Sequence, residues 1–189
     1  SFAVERFVEL IEESDQTDPI ELMKACIATV NQEMIVKSNE NEEYAGMGTT
    51  FVAATVSDHK VTVMNIGDSR LYYGNKELKQ ITVDHSYVEE LINAGMLDRE
   101  QGRLHPKKNV ITRALGSQAA TPDFFEFEAQ EGYLLLCSDG LSNMISDDEL
   151  KELLLDHDQI ANKTNQMIAR ANEYGGKDNI SLVIVDLKR

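Results

Sequence analysis

Val63-Met64-Asn65-Ile66-Gly67-Asp68-Ser69-Arg70-Leu71-Tyr72-Tyr73 decides the reading of this chain: an apolar strand runs into a glycine and a carboxylate, then resumes as strand beyond them. Two further stretches repeat the arrangement, Leu135-Leu136-Cys137-Ser138-Asp139-Gly140 and Gly175-Gly176-Lys177-Asp178-Asn179-Ile180. Hard divalent cations take oxygen ligands, and carboxylates crowded at strand ends repel one another unless a cation lies between them. Asp68, Asp139 and Asp178 are therefore the candidate metal ligands, and metal-assisted chemistry is the expectation. If the strand ending before Asp139 and the strand starting after Asp178 are antiparallel neighbours, both aspartates meet on one rim, because the end of one strand adjoins the start of the next. Asp68 ends a third strand of the same meander and shares that rim. Any one of these aspartates alone reads more readily as an Asx-turn or a helix cap than as a metal ligand; three in the same setting reverse that order.

Outward from this stretch the pattern is mixed. Toward the N-terminus, apolar spacing of three and four predicts a helix over 2–13, and Asp18-Pro19 opens a second with Ile20, Met23, Ile27, Val30 and Met34 on one face. The polar run 37–44 reads as a loop, 49–56 as a strand, Ser57-Asp58-His59 as a hairpin turn and 60–66 as the next strand. After Arg70–Tyr73, Gly74-Asn75 turns into a strand over 78–81. From Asp84 the pattern changes to a helix stopped by Gly95, a short helix from Asp98, and an irregular basic segment, His105-Pro106-Lys107-Lys108-Asn109. Strands return over 124–129 and 132–138. A capping box, Ser146 with Glu149, opens the first of two helices, and the continuous apolar run 180–187 suits a central strand.

The totals narrow the class. At 189 residues the chain fits one domain, burying roughly 70% of the surface its unfolded form exposes. With 33 acidic against 18 basic side chains, a formal charge of −15 disfavours nucleic acid and anionic membrane and suits a cationic ligand or basic peptide, although charge also serves solubility alone. Cys26 and Cys137 read as buried free thiols in a reducing cytosol. No apolar run approaches ~20 residues, so the expectation is a soluble, cytoplasmic, monomeric protein. Cys137 has no neighbouring histidine or arginine-bearing loop to activate it as a thiolate nucleophile, and Ser69 lacks a Gly-x-Ser-x-Gly elbow. His105 before Pro106 is a candidate general acid or a structural loop histidine; His85 reads as a brace.

Met47-Gly48-Thr49-Thr50, Asn65-Ile66-Gly67-Asp68-Ser69-Arg70, Asp84-His85-Ser86, His105-Pro106, Arg113-Ala114-Leu115-Gly116, Ser138-Asp139-Gly140-Leu141 and Gly175-Gly176-Lys177-Asp178-Asn179 occur in an order that resembles the motif series of bacterial PP2C (PPM) metal-dependent serine/threonine protein phosphatases. The resemblance runs from about Ser1 to Leu187. It implies an α+β fold, a four-layer α-β-β-α sandwich of two antiparallel sheets flanked by helix pairs. It also implies hydrolysis of phosphoserine or phosphothreonine on proteins by a water that two core Mn2+ or Mg2+ ions activate, with a possible third ion. By motif position, Asp139 and Asp178 resemble ligands of one core ion and Asp68 that of a peripheral third. Asn109 is the candidate neighbour of the third ion in a flap that spans about 84–115, where Lys107 and Lys108 face an acidic or phosphorylated peptide or else solvent. The implied partners are phosphorylated proteins, substrates of a serine/threonine kinase.

The resemblance breaks at the N-terminus. The family's strand arginine that clamps substrate phosphate, and its Asp-Gly-Met-Gly-Gly-His segment with the bridging aspartate, do not occur in this sequence. Ser1 falls directly inside an amphipathic pattern, as if the chain were entered partway through a domain, and family spacing puts about 50 residues ahead of it. The expectation is a single phosphatase domain over 1–189, incomplete at its N-terminus, poorly active alone, with unpaired sheet edges. The competing readings are a non-catalytic metal- or phosphopeptide-binding regulator and a PP2C-like module of a larger signalling chain.

Overall fold

The computed structural model describes residues 2–118 and 120–188; Ser1, on which the reading of an entered domain rests, lies outside them. In order, the elements are α1 (Phe2–Glu12), α2 (Pro19–Glu40), β1 (Phe51–Ser57), β2 (Lys60–Ile66), β3 (Arg70–Gly74), β4 (Leu78–Gln80), α3 (Tyr87–Asn93), α4 (Arg99–Leu104), β5 (Asp123–Glu128), β6 (Tyr133–Cys137), α5 (Asp139–Ser142), α6 (Asp147–Leu155), α7 (Ile160–Glu173) and β7 (Leu182–Asp186). The class is α+β, with two antiparallel sheets ordered β1-β2-β5 and β4-β3-β6-β7. The single meander expected from the strand spacing is thus divided. Gly67 marks the division: its φ is 102°, and a Cβ there would stand 2.4 Å from Thr50 Cγ2, so only glycine fits the turn that carries the chain from β2 into β3.

The chain folds as two compact units. The first gathers the N-terminal segment to Thr55, Met64–Gly67 and His85–Phe124. Its core is built from the apolar faces of α1 and α2, with Met23, Ile27, Val30 and Met34 buried as their spacing requires, together with Phe7, Phe51, Met64, Ile66 and Leu115. Phe7 meets Phe51 edge-on at 5.0 Å. Asp18 caps α2 by accepting the Glu21 N–H at 2.9 Å, with Pro19 at the first helical position. The loop expected from Lys37 is instead the last turn of α2, because 37–40 holds no glycine or proline to stop it; Asn41 ends the helix and caps the short 3-10 turn Glu42–Tyr44.

Also in this unit, α4 opens on a reciprocal capping box, Asp98 with Gln101. Glu89 of α3, buried, takes both terminal nitrogens of Arg99 at 2.7 and 3.0 Å, which fastens α3 to α4. Gly102 lets the two helices close, since a Cβ there would stand 2.9 Å from Val88 and Ile92.

The second unit gathers Val56–Val63, Asp68–Asp84 and the chain from Phe125. α6 and α7 lay Leu150, Leu154, Met167 and Ala171 over Tyr72, Leu135 and Cys137 of the four-stranded sheet. Lys163, fully buried in α7, donates from Nζ to the Leu154 carbonyl at 2.6 Å and lies 3.9 Å over the Tyr133 ring. A buried ammonium is tolerated when it is paired in this way, and this one satisfies a carbonyl at the C-terminal end of α6.

Two expectations fail in this unit. Ser146 caps α6, accepting the Glu149 N–H at 3.3 Å, yet the box does not close, because Glu149 turns to Arg170 and Tyr174 of α7 and its end, a tertiary partner offering full charge. β7 is the edge strand of the described sheet, not a central one, and Val183 and Val185 stand 57% and 37% exposed. Its run of apolar residues alone could not reveal which neighbours would pair with it.

Candidate metal centre

Strand pairing sets the three aspartates at one end of the same sheet within the second unit. β3 pairs antiparallel with β6, Arg70 opposite Cys137, and β6 pairs antiparallel with β7, Cys137 opposite Leu182. Asp68 precedes Arg70 by two residues and Asp139 follows Cys137 by two, so both lie just beyond the paired strands at the same end of the sheet. Asp178 enters the same rim ahead of β7. Antiparallel pairing of the last two strands, inferred from spacing, is what the structure shows. Asp68 does not reach the rim as the end of a strand in a shared meander: it arrives as the residue leading into β3, after the chain has left the other sheet.

Local contacts fix the positions of Asp139 and Asp178. The Ser138 hydroxyl donates to the Asn179 carbonyl and accepts the Ser181 N–H, both at 3.0 Å, and the Ser138 N–H donates to the Ser181 carbonyl at 2.9 Å. Gly140 lies so close to this loop that a Cβ would stand 2.3 Å from the Asn179 carbonyl oxygen. The glycine was expected to admit a ligand; the group that approaches it is the backbone that carries Asp178. Asp139 opens the short helix α5, and Asn143 one turn on donates from Nδ2 to Asp139 Oδ2 at 3.2 Å. Asp178 is exposed, and its Oδ1 accepts the Asn179 N–H at 2.7 Å.

The electrostatics reflect this crowding. Burial first, then the charges of Asp139 and Asp84, push the half-buried Asp68 carboxyl up from its ordinary 3.8 to about 6, against the pull of Arg70. Asp139 is also raised, by burial and then by Asp178. Burial is the larger cause in both and neighbouring charge the next, and a bound divalent ion offsets each. Among the described residues no three His, Cys, Asp or Glu side chains converge to hold an ion by themselves. The aspartates fit a metal as part of a larger ligand set.

That crowding has a measurable consequence. Because Asp68 is raised on folding, its contribution to stability is fully present below its ordinary 3.8 and is lost as pH rises through about 6. With EDTA present at pH 8, Asp68→Asn should therefore be more stable than wild type by on the order of 1 kcal/mol, after discounting for solvent screening. At pH 4 the difference should vanish. Thermal unfolding at the two pH values checks this, and an Asn variant melting below wild type at pH 8 contradicts it.

Sequence reasoning missed the residues beneath the rim. Arg70 donates from Nε and from one terminal nitrogen to Asp84, at 2.9 and 2.7 Å, and from the other to the Tyr72 hydroxyl at 3.0 Å. Gln80 also donates to Asp84, at 3.1 Å, and the Tyr72 hydroxyl donates to Asp147 at 3.3 Å. The signal was an arginine inside an apolar strand, since a charge taken out of water demands a partner. Cys137 is buried, and burial pushes its thiol up to about 12, which removes it from thiolate chemistry as expected.

Asn109 lies in the first unit, exposed in the turn after Lys108. Lys107 of that turn lies 5.2 Å over the Tyr87 ring, and His105 stacks beside the same ring at 5.8 Å. His85 is buried: Nδ1 accepts the Gly67 N–H at 3.1 Å, so Nε2 carries the proton and donates to Asp123 at 3.0 Å. Burial would raise Asp123, but the hydrogen bonds of His85 and Arg113 outweigh it and hold that carboxyl below its ordinary range. His85 is thus a brace between its neighbours.

The chain matches protein phosphatase 2C over residues 1–182. It belongs to that family. The serine/threonine phosphatase stp of Listeria monocytogenes is 40% identical over 167 residues, covering 87% of this chain and 66% of that protein. The chain thus spans a little under two thirds of the length of this relative. Among solved structures, serine/threonine phosphatase Stp1 of Staphylococcus aureus superposes with a TM-score of 0.92 at 32% identity, covering 98% of this chain and 75% of that one. The catalytic domain of the phosphatase PstP, solved in complex with two manganese ions, gives 0.87 at 29% identity, over 98% of this chain and 78% of that one. The PP2C fold and the metal dependence that goes with it agree with the reading of the motifs. Among the described residues no helix is long and apolar enough to cross a membrane.

Proposed function

We propose that the full-length protein is a PP2C-type phosphatase that hydrolyses phosphoserine and phosphothreonine on proteins. What supports this reading is that Asp68, Asp139 and Asp178 lie beyond strand ends at one end of the same sheet, with Asp68 and Asp139 raised by burial and then by neighbouring carboxylates. Asp139 and Asp178 hold one core Mn2+ or Mg2+, and Asp68 serves a peripheral third ion. When bound, the ions supply an activated water and offset charge on the phosphoryl oxygens. Within the chain, Asn143 fixes one oxygen of Asp139 and leaves the other for the ion, while Ser138 locks the Asp178 loop in place. The fork of Arg70 is committed to Asp84 and Tyr72, so it does not clamp substrate phosphate. Residues 84–115 form a flap-like insertion, with Asn109 in its loop. The substrates are phosphoproteins opposed by a serine/threonine kinase, and the enzyme works as a monomer in the cytoplasm.

The test is phosphate release from a phosphothreonine peptide by the full-length protein. Release should require Mn2+ or Mg2+, cease with EDTA and return when metal is restored. Release that persists in excess EDTA contradicts the mechanism. No release with metal, beside retained Mn2+ binding, leaves the non-catalytic binding module as the reading.

A further inference from the structure

The buried pair under the rim has a bearing on the site that its role in packing does not exhaust. Arg70 is the first residue of β3, two residues after Asp68, and its side chain is only 21% exposed, that of Asp84 11%. Three contacts restrain the guanidinium: two prongs on Asp84 and one on the Tyr72 hydroxyl. Asp84 is itself held by Gln80, and the adjoining Leu71 N–H donates to the Thr82 hydroxyl at 3.0 Å, so the start of β3 is tied to the segment after β4 through side chains. Asp68 lies outside any strand, in the bend between two sheets. The direction of its carboxylate therefore depends on how the start of β3 is held.

We propose that Arg70 is a positioning residue of the metal centre: clamped by Asp84 and Tyr72, it fixes the entry into β3 so that Asp68 is presented to Asp139 in the geometry a divalent ion requires. A planar fork satisfies a carboxylate through two parallel bonds, which a lysine ammonium cannot reproduce while keeping the same charge. Groups behind a ligand commonly set its affinity for metal by ten- to a hundredfold. The inference rests on Asp68 being a ligand, so the experiment includes a variant that tests that reading by itself.

Full-length protein stripped with EDTA and dialysed is titrated with Mn2+ alone by calorimetry, with bound ions counted by electron paramagnetic resonance. Asp68→Asn should abolish the weaker class of sites. Arg70→Lys should weaken that class about tenfold while leaving the tighter class within about twofold. Tyr72→Phe, which keeps the ring in the core and removes one contact to the guanidinium, should shift the same class in the same direction by a smaller factor; it decides the matter if Arg70→Lys does not fold. Wild-type titrations from Arg70→Lys and Tyr72→Phe beside a shifted Asp68→Asn overturn the positioning role alone, even if both variants melt earlier. A wild-type titration from Asp68→Asn overturns the ligand reading, and the positioning role with it.

Discussion

Asp139→Asn in the full-length protein should lower metal-dependent phosphate release roughly a hundred- to a thousandfold, measured with Mn2+ limiting on a phosphothreonine peptide. The size of the effect comes from the position of the residue. The charge of Asp139 acts on Asp68 and that of Asp178 acts on Asp139, so Asp139 is the carboxylate common to both pairs. An amide in its place keeps the shape and the Asn143 contact within reach, but removes the charge that draws a hard cation. The fold should survive, since Asp139 is half-buried and its repulsion with two neighbours is relieved. In EDTA the variant should melt no lower than wild type. Turnover within a few-fold of wild type under limiting metal would remove Asp139 from the centre.

Gly140→Ala should act on fold and site together. The added methyl carbon would stand 2.3 Å from the carbonyl oxygen and 2.9 Å from the carbonyl carbon of Asn179, both backbone atoms, so the loop must move. Overpacking against backbone costs about 2 to 3 kcal/mol, or roughly 5 to 10 °C of melting temperature in a chain of this size. The displaced loop carries Asp178, and the Ser138 contacts to Asn179 and Ser181 are broken or stretched as it shifts. Mn2+ affinity should therefore fall as well. Gly95→Ala supplies the control: nothing lies within 4 Å of its Cβ position, so only the left-handed backbone is penalised, by about 1 kcal/mol. Equal melting temperatures and equal metal affinities in the two variants would show that the approach at Gly140 does not position Asp178.

The candidate site was legible in part because its candidate ligands occupy local contexts that sequence records well. An aspartate at the end of an apolar run, beside glycine, announces itself without knowledge of the fold, and Asp68, Asp139 and Asp178 were found that way. The helices were equally plain where side-chain spacing and caps coincide, as at Asp18-Pro19 and Asp98. Expectations about partners fared worse. The expected capping box at Ser146 dissolved because Arg170 offers Glu149 a charged contact from 21 residues away. The strand at 182–186 looked central because its residues are apolar, whereas β7 lies at the edge of the described sheet.

By itself, then, the sequence determined the helices with their caps and the three carboxylates of the candidate centre, because each depends on spacing and turn chemistry within a few residues, and its motif order implied the class of the fold through a family resemblance. Only the tertiary structure decided that the chain changes sheets at Gly67, that β3, β6 and β7 are neighbours with Asp68 and Asp139 at one end of their sheet, that Gly140 admits a backbone carbonyl, and that Arg70 and Asp84 pair beneath the rim. Those facts depend on which strands become neighbours and which charges lose water together. Both are fixed by the packing of residues far apart in sequence, and no local pattern carries them.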